Sequence, residues 1–406
     1  MIIKGKNTVS SQPQSSMTEL IQSSSSPVQW IDTEAELQKM ALSLSDKRSI
    51  AFDTEFDSFN RTYGFTLLLV QVFDGTTVFL IDPLRIRNLR PLWAVMENAK
   101  IEKIGYAMGE DVRLMKSHGC NPRNLFDIQV ARQLSNRVDA GLANAMREDL
   151  GMELDKSSQR SDWAKRPLSS EQLHYLSNDV LHLSRLKGAN LMFAPNEELA
   201  GIFQEEMKML EEVEVSEREV KLSKGQLKKY SAECGQALLD LMLLRDQYAE
   251  QFNVPTNYIV QMEKLEWIIE HKQEFLQDTF AGGFHPRARG HEAFRKRFVE
   301  ILEHAPDQCD HVKRERTISR EESIALREER LDREERIMRE QFLPIESALL
   351  AQYGEETVRF LLRGMRKTII AADFEEDMLR PYQLRLLRTF LKASLQLLVL
   401  LLTLIL

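Results

Sequence analysis

Residues 49–57 read Ser-Ile-Ala-Phe-Asp-Thr-Glu-Phe-Asp, an apolar strand that runs straight into acid. Ile50 to Phe52 has the character of a buried strand. Asp53 and Glu55 follow two apart, and on a strand residues i and i+2 share a face. Two carboxylates side by side at the end of a core strand repel each other and lose hydration. That is costly unless positive charge lies between them, and a divalent metal supplies it. Taken alone, the stretch reads more readily as an acidic turn, because Asp is a common turn residue. The choice depends on whether later segments bring further carboxylates to the same point.

The neighbouring segments alternate. Val28 to Ser45 reads as a short strand and then a helix opened by a capping box, Thr33 with Glu36. Thr66 to Phe73 and Thr77 to Asp82 flank Asp74-Gly75, a hairpin signal. Leu89 to Ala99 is helical, Ile101 to Ala107 a fourth strand, and Glu110 to His118 a helix. Leu125 to Leu134 and Ala140 to Leu150 read as further helices. A polar segment, Gly151 to Leu168, leads to a helix capped by Ser169 with Gln172, which runs from about Ser170 to Lys187. Strands alternating with helices predict an α/β sheet.

From Glu197 onward no good strand candidate appears. Helical patterns cover 198–214, 225–252, 260–275 and 291–304, with a domain boundary near 215. Residues 313–340 are almost wholly charged, with one narrow apolar stripe, Ile324, Leu331 and Met338. A coiled coil needs two apolar positions per heptad, so this segment reads as an exposed helix held by i, i+4 pairs.

At 406 residues, 43% hydrophobic and 29% charged, the chain is long enough for two or three domains. The net charge of −8 argues against an unselective nucleic-acid binder and leaves room for local basic patches. The three cysteines, Cys120, Cys234 and Cys309, are far apart, which predicts no disulfide framework and a reducing, cytoplasmic setting. Residues 1–27 are rich in Ser and Gln without an apolar core and read as a disordered leader. Leu391 to Leu406 is nearly all Leu. Its uninterrupted apolar run, Leu397 to Leu406, is shorter than the roughly 20 residues a membrane span needs. A terminal helix or a tail outside the domain is expected rather than an anchor.

Two further acids are well placed. Asp111 opens a helix straight after the fourth strand, and Asp179 lies one turn after Tyr175, on the same helix face. Four acids on separate elements, with no His or Cys cluster, favour oxygen-loving Mg²⁺ or Mn²⁺. Two such ions about 4 Å apart would clamp the attacking and leaving oxygens of a phosphodiester displacement. The Tyr175 phenol would hold the attacking water.

The pattern Asp53-x-Glu55, Gly-Glu-Asp111 and Tyr175-x-x-x-Asp179 resembles the DEDD superfamily of 3′–5′ exonucleases in its Tyr-containing branch, and more closely the ribonuclease D family. Phe52-Asp53-Thr54-Glu55-Phe56 and Leu80-Ile81-Asp82-Pro83-Leu84 match family segments. So do Phe126-Asp127 with Gln129, Leu154-Asp155-Lys156, Ser161-Asp162-Trp163 and Arg166-Pro167-Leu168. The resemblance covers roughly 28–215. It continues more weakly through Leu244-Arg245-Asp246, Asn253-Val254-Pro255 and Glu263-Lys264-Leu265, which look like a helicase-and-RNase-D C-terminal (HRDC) module.

The resemblance implies an α/β ribonuclease H-like exonuclease domain with a mixed sheet, followed by an all-α C-terminal region. It implies Asp53, Glu55, Asp111 and Asp179 as metal ligands for two Mg²⁺ or Mn²⁺ ions, and Tyr175 as the residue that positions the water. Glu55 would also meet the terminal 3′-hydroxyl. The implied activity is trimming of RNA 3′ ends, such as those of tRNA precursors, to 5′-mononucleotides by a monomer. A DNA-preferring exonuclease and an inactive RNA-binding scaffold are the alternatives. The expected organisation is a leader (1–27), an exonuclease domain (28–215) and an HRDC-like RNA-binding module (216–305). A charged helix with, on length alone, a second helical module (306–390) and the apolar tail (391–406) complete it. The family often has His where this chain has Tyr106.

Other polar residues have ordinary readings beside functional ones. Asp127 reads as a helix N-cap rather than a fifth ligand, and Glu110 as a solvated first-turn acid. Lys156, Gln159, Arg160 and Arg166 lie on a polar segment as phosphate contacts or plain loop. Trp163 reads as a packing anchor. Phe284 to Phe298 interleaves basic residues with aromatics, either for RNA backbone contact or as a solvated helix with its Phe residues in a core.

Overall fold

The computed structural model describes residues 26–389, apart from 59, 156, 216–217, 281, 310–318 and 372–373. The expected leader up to residue 25 and the apolar tail 391–406 lie outside the described residues. Among the described residues no helix is long and apolar enough to cross a membrane.

Six strands form one mixed sheet: β1 Val28–Ile31, β2 Ser49–Ser58, β3 Phe65–Phe73, β4 Val78–Ile81, β5 Glu102–Gly105 and β6 Leu125–Asp127, in the order β1-β4-β3-β2-β5-β6. β3 runs antiparallel to both β2 and β4, as the Asp74-Gly75 hairpin predicts, whereas β5 runs parallel to β2. β2 therefore lies inside the sheet, and Ile50, Ala51 and Phe52 are almost fully buried. One strand departs from the sequence reading. Leu125–Asp127, expected within a helix, pairs with β5 instead. Three residues are too few to show a period, and the Asp127 side chain accepts from the Gln129 N–H and starts the helix only after the strand.

Among the described residues, eight helices belong to the sheet domain up to Glu211: α1 Glu34–Leu44, α2 Arg90–Glu97, α3 Gly109–Ser117, α4 Ile128–Leu134, α5 Leu142–Leu150, α6 Ser170–Leu181, α7 Leu183–Ala189 and α8 Glu197–Glu211. The Ser169–Gln172 capping box is present on α6. The helix expected to reach Lys187 breaks at His182. α6 lies across β2, β3 and β4, which brings its polar face over the acids of β2.

A second core is all helical. It is built on α9 Lys224–Lys229, α10 Ala232–Phe252, α11 Met262–Glu270 and α12 Glu292–His304, with short helical turns between them. Leu238, Leu241, Ile268, Phe294 and Phe298 are buried in it. Phe284, Phe294 and Phe298 are therefore core residues, while Arg287, Arg289, Arg295 and Lys296 of the same stretch are exposed. Cys234 and Cys309 are joined by a disulfide across 75 residues, against the expectation of none. Their distance in sequence says nothing of where the start of α10 and the segment after α12 meet.

Residues 306–390 also differ from expectation. Within the described part, α13 Arg320–Ile337 is the exposed charged helix anticipated, with Ile324 and Leu331 each 47% exposed. The following helices, α14 Leu343–Tyr353, α15 Glu355–Leu361 and α16 Met365–Ile369, have no core of their own. Ile345, Leu349, Phe360, Met365 and Tyr382 join the core of the sheet domain.

The join is specific. The Asn136 side chain accepts from the Glu356 and Thr357 N–H groups and so caps α15 from outside, and the Thr357 hydroxyl donates to the carbonyls of Gln133 and Leu134. Gly354 makes this approach feasible: it has φ +84°, and a Cβ there would stand 2.5 Å from Asn136 Nδ2.

Candidate active site and metal centre

The strand places the first two acids. Asp53 and Glu55 project from the same face of β2, and α6 carries Tyr175 and Asp179 across that face. Carboxylate oxygens of Asp53, Glu55 and Asp179 all lie within 4.8 Å of one another. Asp111, in the first turn of α3, is buried and accepts a hydrogen bond from the Thr54 hydroxyl. It stands outside the close trio but near enough to Asp53 and Glu55 to act on both charges. All four predicted acids thus converge, three of them at ligand spacing.

The electrostatics follow from crowding. Burial first, and then Asp111, Asp179 and Glu55, push the Asp53 carboxyl well above its ordinary range. Burial, Asp179 and Asp111 raise Glu55 to about 9. Burial raises Asp179 to about 7 against the opposing hydrogen bond from Tyr175, and Asp111 to about 6 against the one from Thr54. Burial and the neighbouring Asp179, Glu55 and Asp53 charges hold the Tyr175 phenol well above its usual value, so it remains a neutral O–H. The donor set is all oxygen and strongly negative, which fits a hard divalent cation.

A stability prediction follows. With raised carboxyls, the metal-free folded state binds more protons than the unfolded chain between roughly pH 4 and pH 9. Stability in EDTA should therefore fall as pH rises through that window. Binding of a cation requires the ionised forms, so added Mg²⁺ should raise the melting temperature more at pH 8 than at pH 5. Thermal unfolding at the two pH values checks this, and an equal metal effect at both would contradict it.

A cavity of about 330 Å³ opens on the acids and is lined also by Tyr106, Gly141, Leu142, Leu154, Gln159 and Tyr175. The Tyr106 hydroxyl donates to the Ala140 carbonyl, and burial raises its phenol to about 12. Tyr106 is thus a wall residue that ties strand β5's end to the loop before α5. Of these walls, Gly141 and Leu142 were not legible in the sequence, because they carry no chemistry that marks them.

The remaining candidates separate clearly. Trp163 is buried with its ring 5.7 Å from that of Tyr175, a packing role. Asp127 accepts from the N–H groups of Ala107 and Met108 as well as Gln129, and serves the backbone. Glu110 is exposed and pairs with Arg113 at 2.6 Å. Gln159 lines the cavity, Arg160 is exposed, and Lys156 lies outside the described residues. Asp57, for which the sequence suggests no role, is buried and accepts from Arg61 N, Thr62 N and the Thr62 hydroxyl. It thereby shapes the loop whose Tyr63 hydroxyl donates to Asp246 of the helical region at 2.6 Å.

Arg166 is structural rather than a phosphate contact. Opposite the site, the β2–β3 register shifts between Glu55 and Phe56: Glu55 faces Leu69 and Phe56 faces Leu67, so Leu68 bulges. Arg166 donates to the Leu68 carbonyl at 3.0 Å, to both oxygens of the fully buried Asp82 at 2.7 and 2.9 Å, and to the Trp163 carbonyl at 2.6 Å. One guanidinium therefore joins the bulge beside Glu55 to the segment that packs on Tyr175. Arg166→Ala would leave Asp82 buried and unpaired, and should cost about 3 kcal/mol of folding stability. Urea unfolding measures it; a loss within about 0.5 kcal/mol, the range of ordinary surface changes, would contradict this reading.

The chain is similar to known proteins in sequence and in fold. The sequence profile of the 3′–5′ exonuclease family matches residues 28–189. Ribonuclease D of Shewanella sp. (strain ANA-3) is 36% identical over 160 residues, 39% of this chain and 41% of that protein. Ribonuclease D of Serratia proteamaculans (strain 568) is 29% identical over 274 residues, 65% of this chain and 72% of that one. The aligned part of the chain spans about two fifths of the length of the first curated relatives. Among solved structures, Escherichia coli RNase D, described as an exoribonuclease involved in structured RNA processing, aligns over 91% of this chain and 98% of its own, with TM-score 0.60 and 21% identity. The catalytic core of RRP6 from Trypanosoma brucei aligns over 71% and 83%, with TM-score 0.56 and 23% identity. At these identities the two structures establish the likeness of fold.

Proposed function

We propose, from the premise that residues 28–189 are a 3′–5′ exonuclease domain related to that of ribonuclease D, that this protein is a metal-dependent 3′–5′ exoribonuclease acting on structured RNA ends such as those of tRNA precursors. The observation that carries the reading is the convergence of Asp53, Glu55 and Asp179 within 4.8 Å beneath Tyr175. Asp53, Glu55, Asp111 and Asp179 would hold two Mg²⁺ or Mn²⁺ ions. When bound, such ions supply charge neutralisation at the phosphate and a hydroxide-like nucleophile.

The protein's own groups do the rest. Tyr175 keeps its proton and presents a fixed hydroxyl beside Asp179, suited to orienting water rather than removing its proton. Glu55 lines the cavity, where it can meet a terminal 3′-hydroxyl and so favour chain ends over internal bonds. Tyr106, Gly141 and Leu142 form a wall that can receive the terminal nucleotide. The exposed Arg287, Arg289, Arg295 and Lys296 offer phosphate contacts on the helical region, the RNA-binding role proposed for that module.

The test gives purified protein RNA and DNA of equal sequence, with Mg²⁺, Mn²⁺ or EDTA. RNA shortening that requires a divalent ion is the expected result. Faster digestion of DNA would shift the reading to a DNA exonuclease. Binding of RNA without digestion under every metal condition would shift it to an inactive scaffold.

A further inference from the structure

Gln71 sits near the end of β3 and interrupts the apolar run from Leu67 to Phe73. Its exposure is 0%, and neither its amide nitrogen nor its amide oxygen has a hydrogen-bond partner. A buried amide left without partners costs on the order of 1–3 kcal/mol, and a Leu or Met would fill the same space without that cost. Packing alone therefore does not account for a glutamine here.

Its position supplies a reason. Gln71 is the register partner of Asp53 across the antiparallel β2–β3 pair. Directly opposed residues of such a pair place their side chains on one face, with Cβ atoms about 4.5–5.5 Å apart. That face is the one α6 covers with Tyr175 and Asp179. On its other side Gln71 is opposed by Leu80 of β4, an apolar neighbour that offers no hydrogen bond. Of the two residues directly opposed to Gln71 across the sheet, Asp53 and Leu80, the polar one is thus Asp53. Around that carboxylate Glu55, Asp111 and Asp179 are all acids, and the Thr54 backbone N–H is the hydrogen bond that favours its ionised form.

We propose that Gln71 is a positioning residue of the metal centre, whose Nε2–H donates to the Asp53 carboxylate when that carboxylate carries a divalent cation. The inference rests on the metal-dependent reading above. Metal-ligating carboxylates are generally held by a second layer of hydrogen bonds, and loss of such a partner lowers metal affinity about 10–100-fold. A fixed Asp53 would present one oxygen to the cation in a constant direction, which matters for an acid set between three others.

Calorimetric titration of the full chain with Mn²⁺, for wild type, Gln71→Leu and Gln71→Met, tests this together with urea unfolding in EDTA. Both variants should bind Mn²⁺ about 10–100-fold more weakly, while their metal-free stability holds or rises because an unpartnered amide has gone. If the branched Leu prevents folding, the unbranched Met decides. Unchanged Mn²⁺ affinity, or weaker affinity that merely tracks a loss of metal-free stability, overturns the proposal. A wild type that takes up no Mn²⁺ overturns the metal-dependent reading and this inference with it; intact wild-type uptake with unchanged variants overturns this inference alone.

Discussion

Asp53→Ala lowers the turnover of RNA at least ~10³-fold while the protein stays folded. Asp53 lies nearest the centre of the acids: Asp111, Asp179 and Glu55 all act on its charge. Removing it takes away the carboxylate best placed to share cations with its neighbours. Loss of metal-borne charge stabilisation in a phosphodiester displacement is worth several kcal/mol, and each 1.4 kcal/mol is about tenfold in rate. The fold should survive because the residue relieves repulsion when it leaves. The metal-free Asp53→Ala protein should melt no lower than wild type, and circular dichroism beside the activity assay separates lost chemistry from lost structure. Residual activity above a tenth of wild type would count against Asp53 as a ligand.

Tyr175→Phe should cut turnover about 10²-fold or more, within the range for a positioned proton-handling group, and leave Mn²⁺ affinity within about twofold. The substitution removes one oxygen and keeps the ring that packs 5.7 Å from Trp163, so the cavity wall is preserved. The phenol is held above its ordinary value by burial and by Asp179, Glu55 and Asp53, and does not ionise near neutrality. The residual activity of Tyr175→Phe should therefore keep the pH profile of wild type below pH 9. A profile that loses one limb would mean that Tyr175 titrates in the reaction. A parallel drop in Mn²⁺ affinity would mean that it supports the cations rather than the water.

The site was legible where chemistry and period coincide. Asp53 and Glu55 are readable because a strand repeats every two residues, and Tyr175 with Asp179 because a helix returns after four. The cap at Ser169 fixed where that helix starts, and the structure has it there. Asp111 was readable from its place just after a strand. The hairpin through Asp74-Gly75 was equally plain, whereas the parallel pairing of β5 with β2 comes from the structure.

What stayed hidden depends on contacts between distant segments. Nothing local to Ile345, Phe360 or Tyr382 says that they bury in the sheet domain rather than in a module of their own. The decisive feature is Asn136, 220 residues before the N–H it caps. Cys234 and Cys309 meet for the same kind of reason. Arg166 read as either a phosphate contact or plain loop because a basic residue on a polar segment usually faces water; its partner Asp82, just after β4, is far away in sequence. Gln71 did leave a signal, a lone amide in an apolar strand, but its meaning needs the register that opposes it to Asp53.

The most direct measurement of the central claim follows one RNA labelled at either end through a time course with Mg²⁺. With the label at the 5′ end, products should form a ladder that shortens one nucleotide at a time. With the label at the 3′ end, a labelled 5′-mononucleotide should appear first, with no labelled fragment between it and full length. Both patterns should vanish in EDTA and in Asp53→Ala. Labelled oligonucleotides released early from the 3′-labelled RNA, or digestion that continues in EDTA, would contradict the account.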